Sequence, residues 1–293
     1  MRKPNFFIVG APKCGTTALN DYLGEHPSVF MFRPKEPHYF AFDVSQRLVP
    51  SRSAYLKGFT RNRSSTYGAV GEASVWYLWS QVAIPEIRRF DPEAKLIAVI
   101  RNPVDLVYSL HSELLCLLQE DRYDFEEAWR LQQDRRSGLR IPRRCANPQF
   151  LQYGEVARLG SQLERALSTF PRKQVKIVLF DDFVSEAQGT FEDVLAFLEV
   201  PPDGREDFPR INANRRLRFR WVQGLLPRLP QIRRWLGRPL GIHRLVTRLN
   251  VRRRRRPPLR LEFRRELVDV FRGEVDKLSA LMGRDLRTWR TVT

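Results

Sequence analysis

Apolar positions along the chain follow two rhythms. Short unbroken runs at residues 6–9, 95–100 (KLIAVI) and 175–180 (VKIVLF) are rich in β-branched residues and too short for helices, so they predict buried strands. Longer stretches with apolar positions three and four apart follow each of them and predict helices at 16–23, at 104–118 with Pro103 placed for a first turn, and at 190–198. Leu159, Leu163 and Leu167 lie four apart and predict a further helix within 151–170, ended by Pro171. Phe263, Leu267, Val270, Phe271, Val275, Leu278 and Leu281 trace a last one over about 260–282, stopping near Gly283. Strand alternating with helix predicts an α/β fold with a mainly parallel sheet flanked by helices. Such a sheet offers ligand sites at the carboxyl ends of its strands, where residues 10–17 and 101–103 fall.

Composition narrows the class. With 293 residues, 42% of them apolar, the chain can bury one large core or two modest ones; no internal repeat or second domain is legible, so a single domain over 1–293 is expected. Cys14, Cys116 and Cys145 are too few for a disulfide scaffold or a zinc cluster. The first apolar run is broken at once by Gly10, Pro12 and Lys13, and no run reaches the roughly 18 residues of a membrane span; a soluble, cytoplasmic protein is expected.

Charge adds a local feature. The formal net charge is +18, but from Arg205 to Arg265 twenty Arg, no Lys and three acids carry +17 of it, leaving the remainder nearly neutral. This basic, Arg/Pro-rich segment, 205–258, is divided by Pro227, Pro230, Pro239, Pro257 and Pro258 into short amphipathic pieces such as 221–226 and 232–236. The run Arg252 to Arg256 reads as a solvated linker, a landing surface for an anionic polymer, or a peripheral contact with anionic lipid at the membrane. Nucleic acid is the least favoured partner, because no aromatic-interleaved recognition motif adjoins the run.

Chemistry concentrates at the first strand end. In Gly10-Ala-Pro-Lys13-Cys14-Gly15-Thr16-Thr17 the glycines let backbone amides turn inward, and with a helix N-terminus they form a cradle for a phosphate. The loop differs from that of NTPases, which need Lys directly after the second Gly, where Thr16 stands. Arg101 leaves the second predicted strand where a magnesium carboxylate would be sought, so a nucleotide met by Lys and Arg without metal is expected. Ser109, about two helical turns beyond Arg101, could join its guanidinium on one further phosphate. Cys14 reads as a small filler whose backbone amide does the work.

These two segments resemble the sulfotransferases that use 3′-phosphoadenosine 5′-phosphosulfate (PAPS), most of all the branch that sulfates glycans such as heparan sulfate, and suggest a soluble bacterial member. The resemblance continues through Lys35-Glu36-Pro-His38-Tyr39-Phe40, Gly71-Glu72-Ala73-Ser74, Phe170-Pro171, Asp181-Asp182 and Gly283-Arg-Asp285-Leu-Arg-Thr-Trp289, covering most of the chain except the Arg-rich stretch. It implies a P-loop type sheet, with Lys13, Cys14, Gly15, Thr16 and Thr17 around the 5′-phosphosulfate and Arg101 and Ser109 on the 3′-phosphate. It also places Arg215, Arg216, Arg218 and Arg220 where family members close a loop over the nucleotide, which makes Arg216 a further candidate for the 3′-phosphate.

In-line sulfuryl transfer needs a base for the acceptor proton and a cation over the leaving phosphate oxygen. Lys13 suits the second role, and Glu36 or His38 the first; the resemblance favours Glu36, with His38 as neighbour or substitute. It implies a carbohydrate acceptor and no metal. Where the glycan enzymes commonly carry Lys and Asp, this chain has Ala73 and Ala41, which touches the acceptor side. Two alternatives stay open from the residues: a P-loop kinase using ATP, and a noncatalytic basic protein whose Arg stretch binds an anionic polymer or membrane.

Overall fold

The structure is a computed structural model that describes residues 3–45, 47–60, 67–209, 215–217, 251–253 and 256–291. The chain divides into two compact units, the first made of Met1–Val107, Gly154–Ile211 and Leu261–Thr293, the second of Tyr108–Tyr153 and Asn212–Arg260.

The first unit is built on a sheet of five strands: β1 (Phe6–Gly10), β2 (Val29–Met31), β3 (Ala69–Ala73), β4 (Lys95–Ile100) and β5 (Val175–Leu179). Their spatial order is β2-β3-β1-β4-β5 and every neighbouring pair is parallel. Both faces are covered by helices, which is why β1 and β4 read as continuous apolar runs. Phe6, Phe7, Ile8, Leu96 and Ile97 have no exposed surface. The two strands that the sequence did not announce are β2, only 3 residues long, and β3, whose AVGEA carries a glycine and a glutamate.

Helices α1 (Thr16–Glu25), α2 (Arg52–Thr60), α3 (Ala83–Phe90) and α4 (Pro103–Cys116) alternate with the first strands. The α4 helix closes before the expected residue 118, because Leu118 turns into a left-handed conformation, φ 59°. Phe180, expected to finish a strand, opens a helix. The expected helix across 151–170 is instead a 3-10 turn at Pro148–Leu151, a short helix at Tyr153–Val156 and a helix at Leu159–Thr169. Its break is fixed by Gln162, whose amide donates to the carbonyls of Glu155 and Val156 at 3.2 and 3.0 Å.

The second unit holds α5 (Phe125–Arg130) and α6 (Gln132–Arg136); α7 (Tyr153–Val156) has Tyr153 in this unit and its other residues in the first. Asp124 caps α5 by accepting from the Glu127 N–H at 2.9 Å. Among the apolar residues of the second unit's core lies an ion pair: fully buried Arg135 grips fully buried Glu120 with two bonds of 2.7 Å, and Tyr153 donates to the same carboxylate at 2.7 Å. Burial alone would push the Glu120 carboxyl up, but the Arg135 bonds reverse this and hold it below its ordinary value. A short antiparallel pair, β6 (Arg215–Leu217) and β7 (Val251–Arg253), also belongs to this unit.

The remaining helices of the first unit are α8 (Leu159–Thr169), α9 (Phe180–Ser185), α10 (Ala187–Leu198) and α11 (Leu261–Met282). The apolar stripe predicted over 260–282 lies on α11, where Phe263, Leu267, Phe271, Val275 and Leu278 are buried, although Val270 is exposed. Helices α8 and α11 approach closely at Gly160, where a Cβ would stand 2.6 Å from the Glu274 carbonyl oxygen. The Glu274 carboxylate returns to the start of α8, accepting from the Ser161 N–H at 2.8 Å and its hydroxyl at 2.7 Å.

Two glycines of this helix pair therefore respond with opposite sign. Gly160→Ala has no room and is expected to destabilise the fold by about 1–3 kcal/mol. Gly273→Ala on α11 meets nothing within 4 Å and is expected to stabilise it by up to about 1 kcal/mol. Urea unfolding of both variants checks the pair.

Candidate functional site

A parallel sheet delivers all its carboxyl ends to one edge, and the sequence-predicted residues of the first unit leave the sheet there. Residues 11–15 follow β1, Lys35 to His38 follow β2, Ser74 follows β3, Arg101 follows β4, and Phe180 with Asp181 and Asp182 follows β5.

The loop after β1 is fixed by backbone conformation. Its first residue, Ala11, donates its N–H to the Val99 carbonyl at 2.8 Å, keeping the loop on the sheet between β1 and β4. Lys13 is left-handed at φ 63°, and Gly15, the N-cap of α1, is left-handed at φ 85°. A Cβ on Gly15 would press the Phe180 ring at 3.1 Å. Gly15 brings no side-chain cap, so the first-turn amides of Thr16 and Thr17, which lack intrahelical acceptors, stay available to an anion. Thr16 is buried and Thr17 half-buried. Arg101 stacks its guanidinium on the Phe180 ring at 4.5 Å and donates to the Lys13 carbonyl at 3.1 Å. A cation thus braces the loop while adding positive charge beside it. These features, a loop with room only for glycine, free helical amides and two cations, fit a bound phosphate.

Cys14 is a filler, as its sequence context predicts. It is buried, its thiol donates to the Pro12 carbonyl at 3.4 Å, and burial, only partly countered by Arg101, pushes the thiol up to about 12. A thiol so reluctant to ionise is no nucleophile.

The loop after β2 holds a carboxylate between two nitrogen groups. Lys35 Nζ donates to Glu36 Oε1 at 2.5 Å, and His38 Nε2 faces Glu36 Oε2 at 3.5 Å. Burial pushes the Glu36 carboxyl up, but the His38 hydrogen bond and the Lys35 charge outweigh it, and the group is held down at about 2. His38 is buried, lies edge-to-face with Tyr77 at 6.3 Å, and its Nδ1 has no hydrogen-bond partner among the described residues. Both residues are left-handed, φ 68° at Glu36 and 50° at His38. Two backbone bonds tie them to the end of β3: Glu36 N–H to the Ala73 carbonyl at 2.9 Å and His38 N–H to Ser74 Oγ at 3.1 Å.

Lys35 is the functional neighbour that residue-by-residue reasoning passed over, although a Lys adjacent to the candidate base was the signal. The C-terminal motif was likewise legible without a role. Trp289 Nε1 donates to Asp181 at 3.0 Å and Arg284 pairs with Asp182, so the segment after α11 clamps the first turn of α9, next to Phe180.

Two further candidates belong to the second unit. Ser109 is buried on α4 and belongs to the second unit. Arg216 lies in β6, opposite Arg252 of β7. Of the run Arg252 to Arg256, Arg252 and Arg253 lie in β7 and Arg256 stacks on the Tyr108 ring at 4.8 Å. Residues 254–255 and the amphipathic pieces at 221–226 and 232–236 lie outside the described residues.

Residues 3–218 match the sequence profile of the family described as "Sulfotransferase domain". Over 98% of its length the chain is 27% identical to the human "Bifunctional heparan sulfate N-deacetylase/N-sulfotransferase 2", spanning 31% of that protein. It is 26% identical to the Rattus norvegicus "Carbohydrate sulfotransferase 15", with 68% of this chain and 44% of that one covered. The chain therefore spans less than half the length of either relative. A crystal structure of a sulfotransferase from Alicyclobacillus acidocaldarius superposes with a TM-score of 0.75 at 27% identity, covering 99% of this chain and 100% of that one.

The Glu36 environment gives a signed prediction. A carboxyl held below its ordinary value of 4.5 stabilises the folded state above that pH, and the contribution is lost as pH falls toward 2. Lys35→Met or His38→Asn removes one of the opposing groups and leaves burial in place, so the Glu36 carboxyl is expected to titrate at higher pH in both. Carbon-13 NMR titration of the labelled carboxyl measures the shift; an unmoved titration would refute the pairing.

Proposed function

The chain belongs to the sulfotransferase domain family, and from that premise we propose that it moves a sulfuryl group from PAPS to a hydroxyl of a carbohydrate. What carries this reading is the pair of features at one sheet edge: a phosphate-shaped loop bearing Lys13 and braced by Arg101, and an ionised Glu36 on the loop after β2. The carbohydrate acceptor is supported by likeness to proteins named for heparan sulfate and carbohydrate sulfation.

The donor supplies an activated sulfuryl group on a phosphate leaving group. In the transfer a bond forms between the acceptor oxygen and sulfur, the bond from sulfur to the bridging phosphate oxygen breaks, and the acceptor proton passes to Glu36. Lys13 meets the charge that grows on the leaving oxygen, and no protein proton is consumed there. A carboxylate held near 2 is a weak base, so it takes the proton only once the acceptor oxygen has become acidic through its bond to sulfur, late in the transfer. His38 orients Glu36 through Nε2, and Thr16, Thr17 and the loop amides hold the 5′-phosphate. Arg101, at the end of β4, is assigned to the 3′-phosphate.

Isothermal titration with 3′-phosphoadenosine 5′-phosphate (PAP), and separately with ATP plus magnesium, tests the donor assignment. Preference for the 3′-phosphorylated nucleotide without magnesium is expected, weakened about tenfold or more by Lys13→Ala and by Arg101→Ala. Preference for ATP would replace the reading with a kinase, and no binding of either would shift it to the Arg-rich segment. With PAPS and desulfated heparin as acceptor probe, Glu36→Gln should lower kcat by about 10²–10⁴-fold while PAP affinity holds.

A further inference from the structure

The transfer scheme above leaves unused a carboxyl buried in the sheet itself. Glu72, near the end of β3, has no exposed surface, and among the described residues its hydrogen-bond partners are three hydroxyls. Tyr55 and Tyr77 donate to Oε1 at 2.9 and 2.7 Å, and Ser74 donates to Oε2 at 2.7 Å. No guanidinium or ammonium is bonded to it, so this is not an ion pair serving stability alone. Burial raises its carboxyl, and the three donors pull it back only in part.

Two of the three hydroxyls face both ways. Ser74 Oγ accepts the His38 N–H at 3.1 Å, and Tyr77 Oη accepts the Phe40 N–H at 3.3 Å. Each of these hydroxyls spends its hydrogen on the Glu72 carboxyl and turns its oxygen lone pairs toward the loop. Together with the bond from Glu36 N–H to the Ala73 carbonyl, alternate amides of the segment 36–40 are thereby fastened to the end of β3. That segment needs fastening: Glu36 and His38 are both left-handed without being glycine, a conformation that persists only where the surroundings over-determine it.

We propose that Glu72 is a positioning residue which, through the hydroxyls of Ser74 and Tyr77, holds Glu36 and His38 in the conformation that sulfuryl transfer requires. This rests on the function proposed above. Glu72 touches no reacting atom, and its effect on the rate passes entirely through the loop.

The test uses the full chain and the near-isosteric variant Tyr77→Phe, alone and with Ser74→Ala, together with Glu72→Gln, which keeps the shape but turns one acceptor into a donor. Three readouts separate the outcomes. Amide hydrogen exchange of the peptide covering 36–40 is expected to speed up about tenfold in the double variant. With PAPS and desulfated heparin, kcat is expected to fall about tenfold to a hundredfold, with KM for PAPS and the affinity for PAP unchanged, and Glu72→Gln to fall in the same direction. The Glu36 carboxyl is expected to titrate higher as its bond to His38 loosens.

Unchanged exchange would show that the hydroxyls do not pin the loop. Faster exchange with wild-type kcat would reduce them to a structural role, and PAP affinity falling in step with kcat would mean general damage; each result overturns the proposal. Wild-type exchange and kcat in Glu72→Gln would remove the carboxylate from the scheme. Should the wild-type chain transfer no sulfuryl group at all, the proposed function fails by itself, while exchange and the Glu36 titration still decide whether the network holds the loop.

Discussion

Placing a carboxylate inside a parallel sheet takes several kcal/mol unless its lone pairs find donors, and breaking such an arrangement leaves an uncompensated charge. Glu72 meets this condition with hydroxyls rather than cations, and that choice has consequences at the edge of the sheet. An arginine or lysine partner would have spent its hydrogens on the carboxylate and offered the loop no acceptor. Hydroxyls donate inward and accept outward, so one buried charge orders a backbone segment that it does not itself touch. Tyr55 donates to the same carboxyl, and its ring stacks on that of Tyr39 in the segment at 4.3 Å.

The phosphate loop solves a similar problem by other means. Lys13 is also left-handed, and it is held by Arg101, whose guanidinium is fixed in turn by the Phe180 ring. Aromatic stacking satisfies the face of the cation and leaves its edge for hydrogen bonds, one of which goes to the loop. Phe180 also fills the space that a Cβ on Gly15 would require, so one ring sets both the loop conformation and the orientation of the arginine. The clamp of Trp289 and Arg284 onto Asp181 and Asp182 secures the helix turn that presents this ring.

Reading the sequence reached the sheet through its most apolar strands and the site through its motifs, for the same physical reason. Strands covered on both faces are continuous apolar runs, and a phosphate loop needs glycine where other residues clash, so β1, β4, β5, Lys13, Gly15 and Arg101 were all visible. The β3 strand was hidden because its function-bearing glutamate breaks the apolar run, and Glu72 could be recognised as buried only once Tyr55 and Tyr77 were brought to it from 17 and 5 residues away. Local spacing also overran at 151–170, where a side-chain amide, Gln162, ends one helix before another begins. The divide between two units at Tyr153 left no mark in composition, since the buried Glu120–Arg135 pair that anchors the second unit looks like any two surface charges in sequence.

The departures from the glycan enzymes gain a meaning from this packing. Ala73 and Ala41 stand where those enzymes commonly carry Lys and Asp, and both are fully buried here, Ala73 giving its carbonyl to the Glu36 N–H. The groups that meet Glu36 come from its own loop, Lys35 on one oxygen and His38 on the other. Base strength and base orientation are consequently set by the same five-residue segment, 35–39, and a change in either neighbour alters both at once. In the proposed transfer an acceptor-side lysine could tune the base independently of its position; without one, the geometry imposed on the segment from β3 bears directly on how readily Glu36 would take a proton.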